Sequence, residues 1–177
     1  MTEQWKTAVL ASAAILGSAA MVTGAAAVAQ PARSAVAELR SADGKPAGRA
    51  VATERRGGIE VALTVTGLPA GIHGAHVHTV GRCDAPDFTT AGAHWNPTGK
   101  QHGTQNPQGP HAGDLPNLTV GSNGRGTLTM RLPAGTMAGL LDADGAAFVV
   151  HANPDDLHSD PSGNSGGRIA CGVFKRG

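Results

Sequence analysis

The chain lacks an excess of either charge, has only two cysteines and no internal repeat, and shows little helical periodicity. It carries 14 basic and 13 acidic side chains; Lys6 and Glu3 fall in an N-terminal stretch of different composition, which leaves 13 against 12 beyond it. Nothing in a balance so close to neutral suggests nucleic acid or an anionic membrane as partner. No charged residue occurs from Thr7 to Ala29, and the run follows Lys6 and ends in Ala27-Val28-Ala29. That is the pattern of a cleavable export signal over residues 1–29. An uncleaved anchor is the alternative, since the run reaches the roughly 20 residues a spanning helix needs. No cysteine lies near its end, so lipid attachment through an N-terminal cysteine is not supported. Residues 30–34 read as a linker with Pro31, and 35–177 as one domain large enough to bury a core. In an exported chain the even pair Cys83 and Cys171 favours a disulfide, with two free thiols as the alternative.

What is present is glycine, 26 residues of it, between brief β-prone runs. Ile59, Val61, Leu63 and Val65 alternate with polar or small neighbours, as do Leu128, Met130 and Leu132, which a strand with one buried face requires. Ala35 to Leu39, Arg49 to Thr53, His73 to His78, Ala146 to His151 and Arg168 to Phe174 are further candidate strands. The sum is an all-β antiparallel sandwich or barrel of seven or eight strands. Cys83 to Leu118 and Asn153 to Gly167 have no apolar alternation and read as long loops. Loops of that length in a compact domain are usually functional or disordered. These are rich in His and Asp, so a metal could order them.

The eight histidines all lie between positions 73 and 158. In a strand, His76 and His78 project from one face and Val77 from the other. His151 ends an apolar run and would bring a third imidazole from a neighbouring strand; imidazole ligands suit copper and zinc, and a set with an accessible side suits a copper that cycles between oxidation states. In the first long loop, His94, His102, His111 and Asp114 could close around a zinc as three imidazoles and one carboxylate, the closed type of zinc site. A His-x-His pair alone is weak evidence, but six candidate histidines and one aspartate spaced to make two sites are much stronger. His73 and His158 are assigned structural or solvent-exposed places.

HGAHVH at His73 to His78, AGAHWNP at Ala91 to Pro97, QHG at His102, HAGDLPNL at His111, VVH at His151 and GGRIACGVF at Gly166 to Phe174 together resemble the signature of copper-zinc superoxide dismutases. The resemblance spans roughly Ala35 to the C terminus. It implies an eight-stranded Greek-key β-barrel with long metal-binding loops, one copper and one zinc per chain, and superoxide as substrate. His76, His78 and His151 would bind copper, His94 would serve both metals, and His102, His111 and Asp114 would complete the zinc site. Asp155 matches a carboxylate that hydrogen-bonds one imidazole of each set; without the resemblance it reads as a turn residue after Pro154. Arg168 matches the arginine beside the copper, otherwise a surface ion pair, and Cys83 with Cys171 matches an intrachain disulfide. The five residues Asp84 to Phe88, inserted between Cys83 and His94, resemble bacterial members, and the stretch from Asp155 to Arg168 is short. The resemblance leaves a homodimer open, and a copper-delivery protein on the same fold is the rival function.

Overall fold

The computed structural model describes Met1 and residues 33–177; the expected leader and most of the linker lie outside the described residues. Alternating runs become strands where one face can be buried. β1 (Ser34–Ser41), β2 (Pro46–Arg55) and β3 (Gly58–Val65) form an antiparallel meander. β4 (Gly71–His73), β5 (Ala75–His78), β6 (Leu118–Val120), β7 (Gly126–Leu132), β8 (Ala147–His151) and β9 (Arg168–Arg176) complete the described set. One sheet runs β5-β8-β9-β1-β2-β3-β7, and β4 pairs with β6 in a second. Every pairing is antiparallel, and the sheet order joins β3 to β7 and β5 to β8, so connections cross over in Greek-key fashion.

The candidate strand His73 to His78 divides at Gly74. Its N–H donates to Asn153 O (2.8 Å) and its carbonyl accepts from His151 N–H (2.9 Å), and a Cβ there would lie 2.8 Å from Ser165 Oγ. One sequence segment therefore serves two sheets. This break, with the three-residue β6 that is too short to show alternation, raises the strand count from the seven named candidates to nine among the described residues. β6 turns back toward β7 through a hairpin closed by Gly121 N–H to Arg125 O (2.9 Å), so the sheet curls on itself.

Ile59, Val61, Leu63 and Val65 all face the interior, where Val61 pairs across with Met130 and Leu63 with Leu128. Val77, Phe148, Val150, Leu115 and Leu118 join the same core. Burying each such side chain contributes about 1.5–3 kcal/mol. On β5 and β8 the alternate residues point the other way. Ala147 and Val149 there pack with Phe88, Ala91 and Cys171 in a second, smaller cluster. The loop over β8 is thus anchored by its own apolar contacts.

Cys83 and Cys171 form a disulfide that joins this loop to β9 across 88 residues of sequence. In the chain-entropy account a loop of that size stabilises the fold by about 4 kcal/mol. Reduction, or Cys83→Ser with Cys171→Ser, is expected to lower the melting temperature by roughly 10 °C or more in a scanning calorimeter. A change of one or two degrees would show that loop closure contributes little.

Candidate metal centre

β5 is an edge strand, and an open edge is a liability. The first long loop covers it. Val77 N–H donates to Gly113 O (2.9 Å), Trp95 N–H donates to Val77 O (2.8 Å), and Thr79 N–H donates to Ala93 O (2.9 Å). This pairing places His94 opposite His78 and Asp114 opposite His76. It also requires Gly113, because a Cβ there would collide with Val77 O and lie 3.1 Å from Trp95 N. His76 and His78 share one face of β5 as their spacing demands, and His151 ends the adjacent β8. All three are buried, as are His94, His102, His111 and Asp114.

Hydrogen bonds fix which ring nitrogen of each imidazole is free. His78 Nδ1–H donates to Gly92 O (2.9 Å) and His151 Nδ1–H donates to Gly166 O (3.2 Å), which leaves both Nε2 atoms facing each other at 3.3 Å. Asp155 accepts from His76 Nε2–H through Oδ2 (2.6 Å) and from His102 Nε2–H through Oδ1 (3.0 Å). It therefore frees Nδ1 on one ring of each set. His94 directs Nδ1 to Asp114 Oδ1 (2.9 Å). Among the described residues, four buried side-chain nitrogens have no hydrogen-bond partner: His76 Nδ1, His94 Nε2, His102 Nδ1 and His111 Nδ1. An unpaired buried polar atom is costly, so this number of them in one place points to a group that takes their lone pairs.

Donor atoms of His76, His78, His94 and His151 all lie within 4.8 Å of one another, as do those of His76, His94, His102 and Asp114. His76 enters the second group by proximity, its ring centroid 4.0 Å from that of His94, yet its only free nitrogen is the one Asp155 leaves it. His111 has a better claim on that group. Asp114 Oδ1 lies 2.9, 3.1 and 3.3 Å from Nδ1 of His94, His102 and His111. Ligands of a tetrahedral zinc with bonds of the usual length are separated by about 3.3 Å. Asp114 Oδ2 meanwhile accepts from the backbone N–H groups of Gly103 and His111, both at 2.9 Å. One oxygen is held and the other presented.

Burial pushes His94 down to about 4 against its hydrogen bond to Asp114, and burial with the neighbouring His76 pushes His151 down to about 3. Burial also lowers His76, despite Asp155, and holds His78 well below the ordinary range with help from His94. These rings are neutral at pH 7, as ligands must be. His102 differs. Burial alone would lower it, but the Asp114 and Asp155 carboxylates beside its two ring nitrogens outweigh that and raise it to about 9. Burial would likewise raise both carboxylates, but their imidazole and backbone donors hold them well below the usual range.

At pH 7 the metal-free His102 carries a proton on each ring nitrogen, and a zinc bound at Nδ1 would have to displace one, so uptake by the metal-free protein is expected to release about one proton. Apparent affinity then falls about tenfold per pH unit below about 9, while the neutral His94 adds no such cost until near pH 4. Titration calorimetry in buffers of different ionisation enthalpy measures this; zinc uptake without proton release would contradict it.

Arg168, in β9 opposite His151, donates through its two Nη groups to Phe88 O and Gly92 O, both at 2.7 Å. Burial lowers its pKa from the ordinary value and Asp87 opposes this, so the guanidinium stays charged. Two residues left outside the sites by sequence reasoning behave differently. His73 is buried between His151 O (2.9 Å) and Pro69 O (3.0 Å), and His158 is exposed beside Gln105.

Sequence reasoning missed several groups that hold the site. Asn117 brackets Asp155, donating to its carbonyl (2.8 Å) and accepting its N–H (2.7 Å). Gly163, at φ 61°, leaves room for the Asp155–His102 contact, since a Cβ would collide with Asp155 and lie 2.6 Å from His102 Nε2. Asp160 accepts the His102 N–H (2.6 Å). Asn117 falls within the quoted HAGDLPNL run, which was a usable signal; the other two carry none in one sequence.

Comparison with known proteins decides the family. The profile described as Copper/zinc superoxide dismutase (SODC) matches residues 47–174. The chain belongs to the copper/zinc superoxide dismutase family. It is 44% identical over 149 residues to Superoxide dismutase [Cu-Zn] of Caulobacter vibrioides, covering 80% of this chain and 86% of that protein. Among solved structures it matches a double mutant of a SOD-like protein from Bacillus subtilis, with TM-score 0.73, 41% identity and coverage of 78% and 95%. The Cu/Zn superoxide dismutase from Brucella abortus matches with TM-score 0.66 at 29% identity, covering 80% and 99%. Copper/zinc superoxide dismutases are oxidoreductases, and the two histidine groups of this member fit metal binding.

Proposed function

We propose that this protein converts two superoxide anions and two protons into dioxygen and hydrogen peroxide. In this reading copper would be held by His76, His78, His94 and His151, and zinc by His94, His102, His111 and Asp114. The observation that carries it is His94, a buried imidazole with Nδ1 toward Asp114 and the unpartnered Nε2 toward the other histidines. When bound, copper supplies a one-electron cycle between two oxidation states and zinc a fixed positive charge.

The chain's own residues set up that chemistry. Gly92 O, Gly166 O and Asp155 hold the proton on the outward nitrogen of His78, His151, His76 and His102, which keeps the inward nitrogens as donors. Arg168, fixed by two carbonyls, keeps a forked cation beside His78 and attracts the small anion. His94 Nε2 is the atom at which a proton can wait between the two half-reactions for delivery to the peroxide formed. The disulfide fits export to an oxidising compartment, where residues 1–29 would act as the leader.

The test is superoxide consumption by copper- and zinc-loaded protein beside its Arg168→Glu variant. Fast consumption is expected from the first and about 10-fold or more slower consumption, with altered ionic-strength dependence, from the second. No consumption by the fully loaded wild type would leave a copper-delivery role, and equal rates would remove Arg168 from substrate guidance.

A further inference from the structure

The insert Asp84 to Phe88 ends in a residue with an unusual backbone. Phe88 sits at φ 55° and ψ 21°, a left-handed conformation that a bulky side chain adopts only when its surroundings hold it there. Its ring is buried in the small cluster with Ala91, Ala147, Val149 and Cys171, against the disulfide. From that anchor the chain makes one short turn: Ala91 N–H donates to Phe88 O (3.1 Å) and Gly92 N–H donates to Thr89 O (3.0 Å). The turn ends with the carbonyls of Phe88 and Gly92 both aimed at Arg168. Gly92 O also accepts from His78 Nδ1–H.

We infer that Phe88 is a positioning residue for Arg168: its buried ring locks the left-handed turn that presents two carbonyls to the guanidinium. This rests on the reading of Arg168 as the anion guide. The apolar contacts explain why the strained conformation persists, and the two hydrogen bonds explain what it accomplishes. A surface arginine without them would sample many rotamers, whereas this one is held at both Nη atoms.

The test uses the full copper(I), zinc protein and its Phe88→Ala and Phe88→Leu variants, read by NMR for exchange of the Arg168 Nη protons. Hydrogen bonds to a charged group are strong enough that Phe88→Ala is expected to speed exchange about 10-fold or more. Phe88→Leu, which keeps an apolar anchor, should retain most of the protection. Metal content should stay at that of the wild type, and superoxide consumption should slow at low ionic strength. In an Arg168→Ala background, Phe88→Ala should slow it no further. Unchanged exchange in Phe88→Ala would overturn the inference, as would loss of copper or an equal slowing in the Arg168→Ala background. If Arg168→Ala alone leaves the rate untouched, the guidance reading fails, and proton exchange by itself still decides whether Phe88 holds the guanidinium.

Discussion

His94→Ala is expected to remove most superoxide consumption and to disturb both metal sites together. Every other imidazole proposed as a ligand presents one free nitrogen, the other being tied to a carbonyl or carboxylate or, for His111, lying 3.7 Å from Asp160. His94 alone has Nδ1 toward the Asp114 cluster and Nε2 toward His76, His78 and His151. Alanine at this position removes one donor from each set and the proposed holding place for a proton. Loss of an outer hydrogen-bond partner costs a metal site roughly 10–100-fold, so loss of a shared ligand is expected to cost at least about 100-fold in rate. Zinc affinity and the copper visible spectrum should change in the same variant. A variant that loses zinc affinity but keeps the wild-type copper spectrum would show that the ring serves one site only.

The second large effect is expected at Asp155, which touches neither proposed metal position. Its two oxygens hold His76 and His102, and Asn117 fixes its backbone from both sides. Asp155→Asn replaces one acceptor oxygen by an N–H donor, so one of the two imidazoles must turn or change tautomer. Zinc affinity is expected to fall about 10–100-fold, with a smaller change at copper, where three other nitrogens keep their own partners. The proton linkage should shift as well. Without the carboxylate, His102 loses one of the two partners that raise it, so its proton is held less tightly and zinc uptake at pH 7 should release less than one proton. Wild-type zinc affinity in Asp155→Asn would remove this residue from the account.

Much of this was legible in the sequence, for identifiable physical reasons. His76 and His78 share a face because strand periodicity is two, and His151 falls at the end of an apolar run that has to be buried. The long loops betrayed themselves by lacking alternation. The strand break at Gly74 was not legible, because it depends on where Asn153 and His151 arrive from far along the chain. Gly163 and Gly113 look like any other loop glycines until the neighbours that would meet a Cβ are in place. The grip on Arg168 was hidden for a different reason: its acceptors are backbone carbonyls, which any residue supplies. The left-handed Phe88 gives no sign of itself in the residue type, which usually avoids that conformation.

A crystal structure of the metal-replete protein tests the two-site geometry most directly. It should contain a copper and a zinc, with the ring of His94 bound to one through Nε2 and to the other through Nδ1, and with Arg168 still on the carbonyls of Phe88 and Gly92. A single occupied centre, or two ions with His94 turned away from either, would contradict it.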